Sequence, residues 1–278
     1  MIIDSHTHLI EPESKFSATM DGSVGTLLRA MDAAEITRAV TFVIEPFDRN
    51  AFVADACRRH PDRLIGFASV DPNAVVDEDP ALALDDILDL YPFRGVKLHP
   101  RHQGFSMSDE RHLPLFAAIA KRRLPVLIDC ISQPSKVPLA GNLPFEADRL
   151  MRRVSDLTLI LAHMGGHRVL DAYAVALQHP RVFLDLAWVL HLYRGSTVEQ
   201  DIRFAVKQLA PKRQVIWGSD HPSLSNLPIE VSKTEWMNIF EEINLARDDV
   251  DAALGGTISM ILNLDEESPP QLEVPQAR

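Results

Sequence analysis

The chain holds only two cysteines in 278 residues, Cys57 and Cys130, and they form no spaced pattern. That argues against a disulfide framework and makes a reducing compartment the default expectation. No apolar run reaches the length of a membrane span. No basic stretch precedes an apolar one at the N-terminus, so no signal peptide is evident. Positive charge is in deficit, with 28 Lys and Arg against 39 Asp and Glu and a net charge of -11. Such a balance argues against nucleic acid or an anionic membrane as partner. There is no linker, low-complexity tract or second composition regime. The expectation is a cytoplasmic globular protein with one domain over residues 1–264. The tail from Asp265 to Arg278, rich in Glu, Pro and Gln, is expected to be loosely ordered.

What is present is a repeat. Short apolar runs recur at Ile2-Ile3, Arg38 to Ile44, Leu64 to Val70, Phe93 to Leu98, Pro125 to Ile128, Leu157 to Ala162, Val182 to Leu186 and Val215 to Trp217. They suit strands buried on both faces. Between them lie stripes at helical spacing, such as Leu27, Leu28, Met31 and Ala34, or Leu113, Phe116, Ala117 and Ala120. Asp109 and Asp201 are expected helix starts. One repeat takes roughly 30 residues, the size of a βα unit. Eight such units predict a (β/α)8 TIM barrel, which takes about 250 residues. An open doubly wound sheet is the runner-up, but it would place glycines in the turn after the first strand. That turn reads Ser5-His6-Thr7-His8 instead.

In a barrel the chemistry sits at the C-terminal strand ends. Those ends carry His6 and His8, Glu45, Asp71, Lys97 with His99, Asp129, His163, Asp185, and Asp220 with His221. His6 and His8 lie two apart on a strand, so both point to one face, about 7 Å apart along the chain. Asp4 is expected to share that face. Two imidazoles on one face make half of a metal site. Asp220 follows the eighth run, beside the first in a closed barrel, where it can reach that metal or take a proton from water. His163 sits in Ala162-His-Met-Gly-Gly166, where glycines permit a sharp turn, and suits a ligand or an acid/base. Lys97 lies inside an apolar run, where a lone charge is costly, so it either pairs with Asp71 or Asp129 or faces an anion. Lys97, His99 and Arg101 are candidates for holding a substrate carboxylate. His112, His167 and His191 read as loop or surface residues, and His60 and His179 as helix ends.

These segments resemble the amidohydrolase superfamily, and within it the decarboxylase-like branch often called amidohydrolase 2. The resemblance rests on Ile3-Asp4-Ser-His6-Thr-His8, Gly95-Val-Lys-Leu-His-Pro100, Leu161-Ala-His163-Met-Gly-Gly166 and Trp217-Gly-Ser-Asp220-His-Pro222. Leu254 to Leu262 looks like the closing helix of that family. The resemblance implies a distorted barrel holding one divalent metal, Zn²⁺ first and Mn²⁺ second. It implies His6, His8 and Asp220 as ligands and His163 as the proton-transfer residue. Asp129 stands where the family pattern has a histidine ligand. It is expected either to ligate as a carboxylate, which would give a weaker Lewis acid or a harder metal, or to pair with Lys97 and leave the metal out.

The function implied is hydrolysis of C–O or C–N bonds in a small carboxylated or cyclic substrate, or nonoxidative decarboxylation by a lyase with the same apparatus. Its partners would be a small anionic substrate and, as the family suggests, a second copy in a homodimer. A metal-free lactonase-like enzyme, a non-catalytic ligand-binding barrel, and a TatD-type nuclease are the alternatives. The acidic balance counts against the nuclease.

Overall fold

The computed structural model of the chain describes residues 1–12, 18–44, 48–76, 79–131, 143–223 and 226–264. Glu45, the tail from Asp265 to Arg278 and most of the Ser132 to Pro144 loop lie outside these residues. So does part of the loop from Ile10 to Gly22.

All strand pairings are parallel. The strands are β1 (Ile3–Leu9), β2 (Arg38–Val43), β3 (Leu64–Gly66), β4 (Ala68–Ser69), β5 (Val96–Leu98), β6 (Pro125–Ile128), β7 (Thr158–Leu161), β8 (Val182–Asp185) and β9 (Val215–Ile216). They form two sheets in sequence order, β1-β2-β3 and β4 through β9. The break between β3 and β4 falls at Phe67, whose N–H donates to Thr41 at 3.0 Å. The next N–H, on Ala68, donates to Gly95 at 2.8 Å. β3 and β4 are therefore one stave bonded to both neighbours. The other seam is closed by Ser5 N–H on Trp217 O (3.2 Å), Asp220 N–H on His6 O (2.9 Å) and His8 N–H on His221 O (2.6 Å). Eight staves thus close into a barrel, as the strand–helix repeat predicts.

Alternation along the staves builds two apolar layers. In β6, Val126 and Ile128 join the outer layer under the helices, and Leu127 points into the barrel. In β7, Leu159 and Leu161 point out and Ile160 points in. Burying one such side chain is worth ~1.5–3 kcal/mol, so a one-residue slip of register would be heavily penalised. Ile3, Val40, Phe42, Ile65, Phe67, Phe183 and Ile216 complete the inner layer, with Ile258 and Leu262 of the helix Thr257–Leu262 packed among them. Lys97 falls between Val96 and Leu98, both outer-layer residues, so its ammonium is sent inward.

Some local expectations shift. Asp109 does cap a helical turn, accepting from Arg111 N–H at 3.0 Å. Asp201 lies inside the helix Thr197–Leu209, whose N-cap is Ser196. His60 and His179 do end helices. His112 is buried against Phe105, with ring centres 5.4 Å apart, rather than placed at the surface. No helix among the described residues is long and apolar enough to cross a membrane.

Candidate metal centre

β1 delivers both histidines. Its pairing with β2 slips between Asp4 and Thr7, and this bulge lets Ile3 and His6 both serve the interior despite their odd spacing. Asp4 does not join the imidazoles. Its Oδ1 accepts from the N–H of His6 (3.2 Å) and of Ser219 (2.9 Å), which ties β1 to the segment after β9. Burial raises its carboxyl to about 7.

The same seam brings Asp220 to the histidines. Its Oδ1 lies 3.1 Å from His6 Nε2 and 3.2 Å from His8 Nε2. One ligand atom from each of His6, His8 and Asp220 lies within 4.8 Å of the others, the only such group among the described residues. Gly218 makes the approach possible. A Cβ there would meet His6 Cβ at 2.7 Å and Asp185 Oδ1 at 3.0 Å.

Asp185, at the end of β8, holds His6 from behind. Its Oδ2 lies 2.5 Å from His6 Nδ1. One proton between them leaves Nε2 with its lone pair aimed at the trio. Burial, then the positive charges of Lys97 and His163, keeps His6 neutral, as a ligand must be. A carboxylate behind a ligating imidazole is the usual support of a metal-binding histidine. Phe42 forms a floor, edge-on to His6 (5.1 Å) and to His8 (4.8 Å). These observations fit a divalent ion: two neutral imidazoles, one carboxylate and a supporting hydrogen bond.

His163 sits beside the trio, its ring centre 5.1 Å from that of His6. It begins a left-handed run with Met164 and two glycines, with φ of 55° at His163 and 80° at Gly165. Trp188 and Asp220, also non-glycine, take φ of 53° and 67°. His163 Nδ1 donates to Ala187 O at 2.8 Å, and Nε2 faces Asp129 Oδ1 at 3.3 Å. Both ring nitrogens face acceptors, so the imidazolium is favoured. Burial opposes that charge, but the hydrogen bond to Asp129 and the charges of Asp220 and Asp129 outweigh it and raise the ring to about 9. Burial also opposes charge on Asp129. Its bond to His163 and the nearby charges of His163, His99 and Lys97 prevail and hold its carboxyl well below the usual range.

Asp129, expected as a fourth ligand or as the partner of Lys97, thus stands outside the trio and is engaged by His163. Its Oδ2 is buried without a hydrogen-bond partner among the described residues. Lys97 is fully buried, with Nζ 3.3 Å from His6 Nε2 and 4.8 Å from the centre of the Phe42 ring. Burial lowers its pKa against the pull of Asp129, Asp185 and Asp220. His99 and Arg101 follow on the same barrel mouth, each 5% exposed. Arg101 donates to Ile131 O at 2.9 Å, and burial together with Lys97 keeps His99 neutral. Nothing in the sequence marks Phe42 as part of the site or assigns Asp185 a partner. The strand-end position of Asp185 was the available signal.

The amidohydrolase family model matches residues 3–264. Among curated proteins, no sequence matches this chain. An uncharacterised TIM-barrel protein from Bordetella bronchiseptica is similar in structure, at a TM-score of 0.74 and 20% identity, over 96% of this chain and 99% of that one. So is a protein from Pseudomonas putida provisionally assigned as a 2-pyrone-4,6-dicarboxylic acid hydrolase, at 0.70 and 20%, over 96% and 98%. A dihydroxybenzoic acid decarboxylase from Polaromonas, solved with manganese and the inhibitor 2-nitroresorcinol, gives 0.71 and 15%, over 97% and 99%. These identities carry the fold, and the family match carries the membership: the chain belongs to the amidohydrolase family of barrel enzymes.

Proposed function

We propose that the protein is a metal-dependent hydrolase or nonoxidative decarboxylase acting on a small carboxylated or cyclic substrate. The observation that carries this reading is the buried trio of His6, His8 and Asp220 beside a charged imidazole, His163. His6 Nε2, His8 Nε2 and an Asp220 oxygen would hold one divalent ion, Zn²⁺ by its taste for imidazole or Mn²⁺ as in the Polaromonas enzyme. When bound, such an ion polarises a substrate oxygen or activates water.

The protein's own groups do the rest. His163 holds a proton at Nε2, shared with Asp129, and gives it to the atom that gains electrons: a leaving oxygen or nitrogen in hydrolysis, a ring carbon in decarboxylation. The carboxylate of Asp129 steadies the charged ring before the transfer. Asp220 takes a proton from the attacking water in hydrolysis. His99, Arg101 and the ammonium of Lys97 supply donors for a substrate carboxylate. The dicarboxylate and the carboxylated or hydroxylated aromatic acids named for the structural neighbours make such acids the first substrates to try.

The test is a panel of aromatic and heterocyclic carboxylic acids and their lactones, incubated with metal-loaded protein. CO₂ release marks decarboxylation, and ring opening with proton release marks hydrolysis. Turnover that disappears in His163→Ala is expected. Turnover unchanged in that variant would remove His163 from the chemistry.

A further inference from the structure

Lys97 is placed against the one nitrogen that His6 can offer a metal. Nδ1 of His6 is committed to Asp185 at 2.5 Å, so Nε2 carries the available lone pair. Nζ of Lys97 lies 3.3 Å from that atom. An imidazole nitrogen has a single in-plane lone pair. An ammonium donating to it and a metal ligated by it therefore exclude each other. Charge acts in the same sense, since a divalent ion beside a buried ammonium is repelled where solvent cannot screen it.

The position is built. Val96 and Leu98 pack in the outer layer and send the side chain between them inward, where Lys97 is fully buried. Phe42 lies beneath Nζ with its ring centre 4.8 Å away, an arrangement that favours a cation. An alternative partner is at hand. Asp129 is an electrostatic neighbour of Lys97, and its Oδ2 is buried without a hydrogen-bond partner among the described residues.

We propose that Lys97 is an internal cation that occupies the metal-facing nitrogen of His6 and is displaced from it when a metal loads. This rests on the reading of His6, His8 and Asp220 as the metal site. Lys97 then sets how tightly the barrel holds its ion, and loading turns the ammonium toward the substrate carboxylate.

The experiment is competitive titration of metal-stripped full-length protein with Zn²⁺ and with Mn²⁺ against a chromophoric chelator. Wild type is compared with Lys97→Met, which keeps the bulk and removes the charge, and with Lys97→Arg, which makes the charge permanent. Circular dichroism and a thermal melt establish that each variant is folded. The expected result is binding tighter by roughly tenfold or more in Lys97→Met, and weaker in Lys97→Arg. Metal bound by Lys97→Met but not by wild type would support the proposal most strongly. Equal or weaker binding by folded Lys97→Met would overturn it. Should that variant not fold, Lys97→Arg decides alone, and binding as tight as wild type overturns the proposal. Failure of the metal-site reading looks different: no variant binds either metal, or His6→Ala binds as well as wild type.

Discussion

Asp185 and His6, 179 positions apart in sequence, are joined by a hydrogen bond of 2.5 Å between Oδ2 and Nδ1. The bond fixes the tautomer of His6 and turns its Nε2 toward His8 and Asp220. Asp185→Asn keeps the shape and loses the carboxylate. Its metal affinity should fall about 10–100-fold, with the fold retained. Zn²⁺ titration of the stripped variant measures this, and unchanged affinity would deny Asp185 its supporting role.

Asp129 and His163 give a pH prediction. The folded-state value of His163 is about 9, above its ordinary value of 6.5. Stability from the charged ring is therefore complete below about pH 6.5 and lost as pH rises through about 9. Asp129 is shifted down, so its share is present above the ordinary carboxylate range and lost only in acid. In metal-free Asp129→Asn the ring should titrate well below 9, removing the loss of stability on the alkaline side. NMR titration of the ring protons, with urea melts at pH 6 and 9, checks both statements. A His163 that titrates alike in both proteins would contradict the pairing.

Gly218 leads to a steric prediction. A methyl group there meets His6 Cβ at 2.7 Å. Overpacking of this kind costs ~1–3 kcal/mol. Gly218→Ala should melt lower and bind metal more weakly, because His6 must move. A variant with wild-type melting and metal affinity would show that the seam is softer than its geometry indicates.

The barrel floor can be tested apart from the chemistry. Ile258 is fully buried in the inner layer, so Ile258→Ala should lose ~2–5 kcal/mol in urea unfolding. Metal affinity in the folded variant should stay near wild type, since the trio draws on the other end of the staves.

Much of this was legible in the sequence because strands alternate. The spacing of His6 and His8 put both rings on one face, and the apolar neighbours of Lys97 sent it inward. Closure of eight staves then placed Asp220 beside the first. The bulge between Asp4 and Thr7 was not legible, since no side chain announces a change of strand phase, and Asp4 turned to backbone N–H groups instead. Nor could sequence tell which partner Asp129 takes. His163, Lys97 and a metal are all chemically suitable, and only the left-handed turn after β7 brings His163 within 3.3 Å. Asp185 was visible as a strand-end carboxylate, but its link to His6 depends on the barrel's cross-section.

Elemental analysis of untagged protein, with His6→Ala and Asp129→Ala prepared alongside, decides whether His6, His8 and Asp220 hold a metal. Wild type should carry about one divalent ion per chain after loading, His6→Ala should lose it, and Asp129→Ala should keep it. No ion in wild type after incubation with Zn²⁺ or Mn²⁺, or an ion that survives the loss of His6, would contradict that assignment.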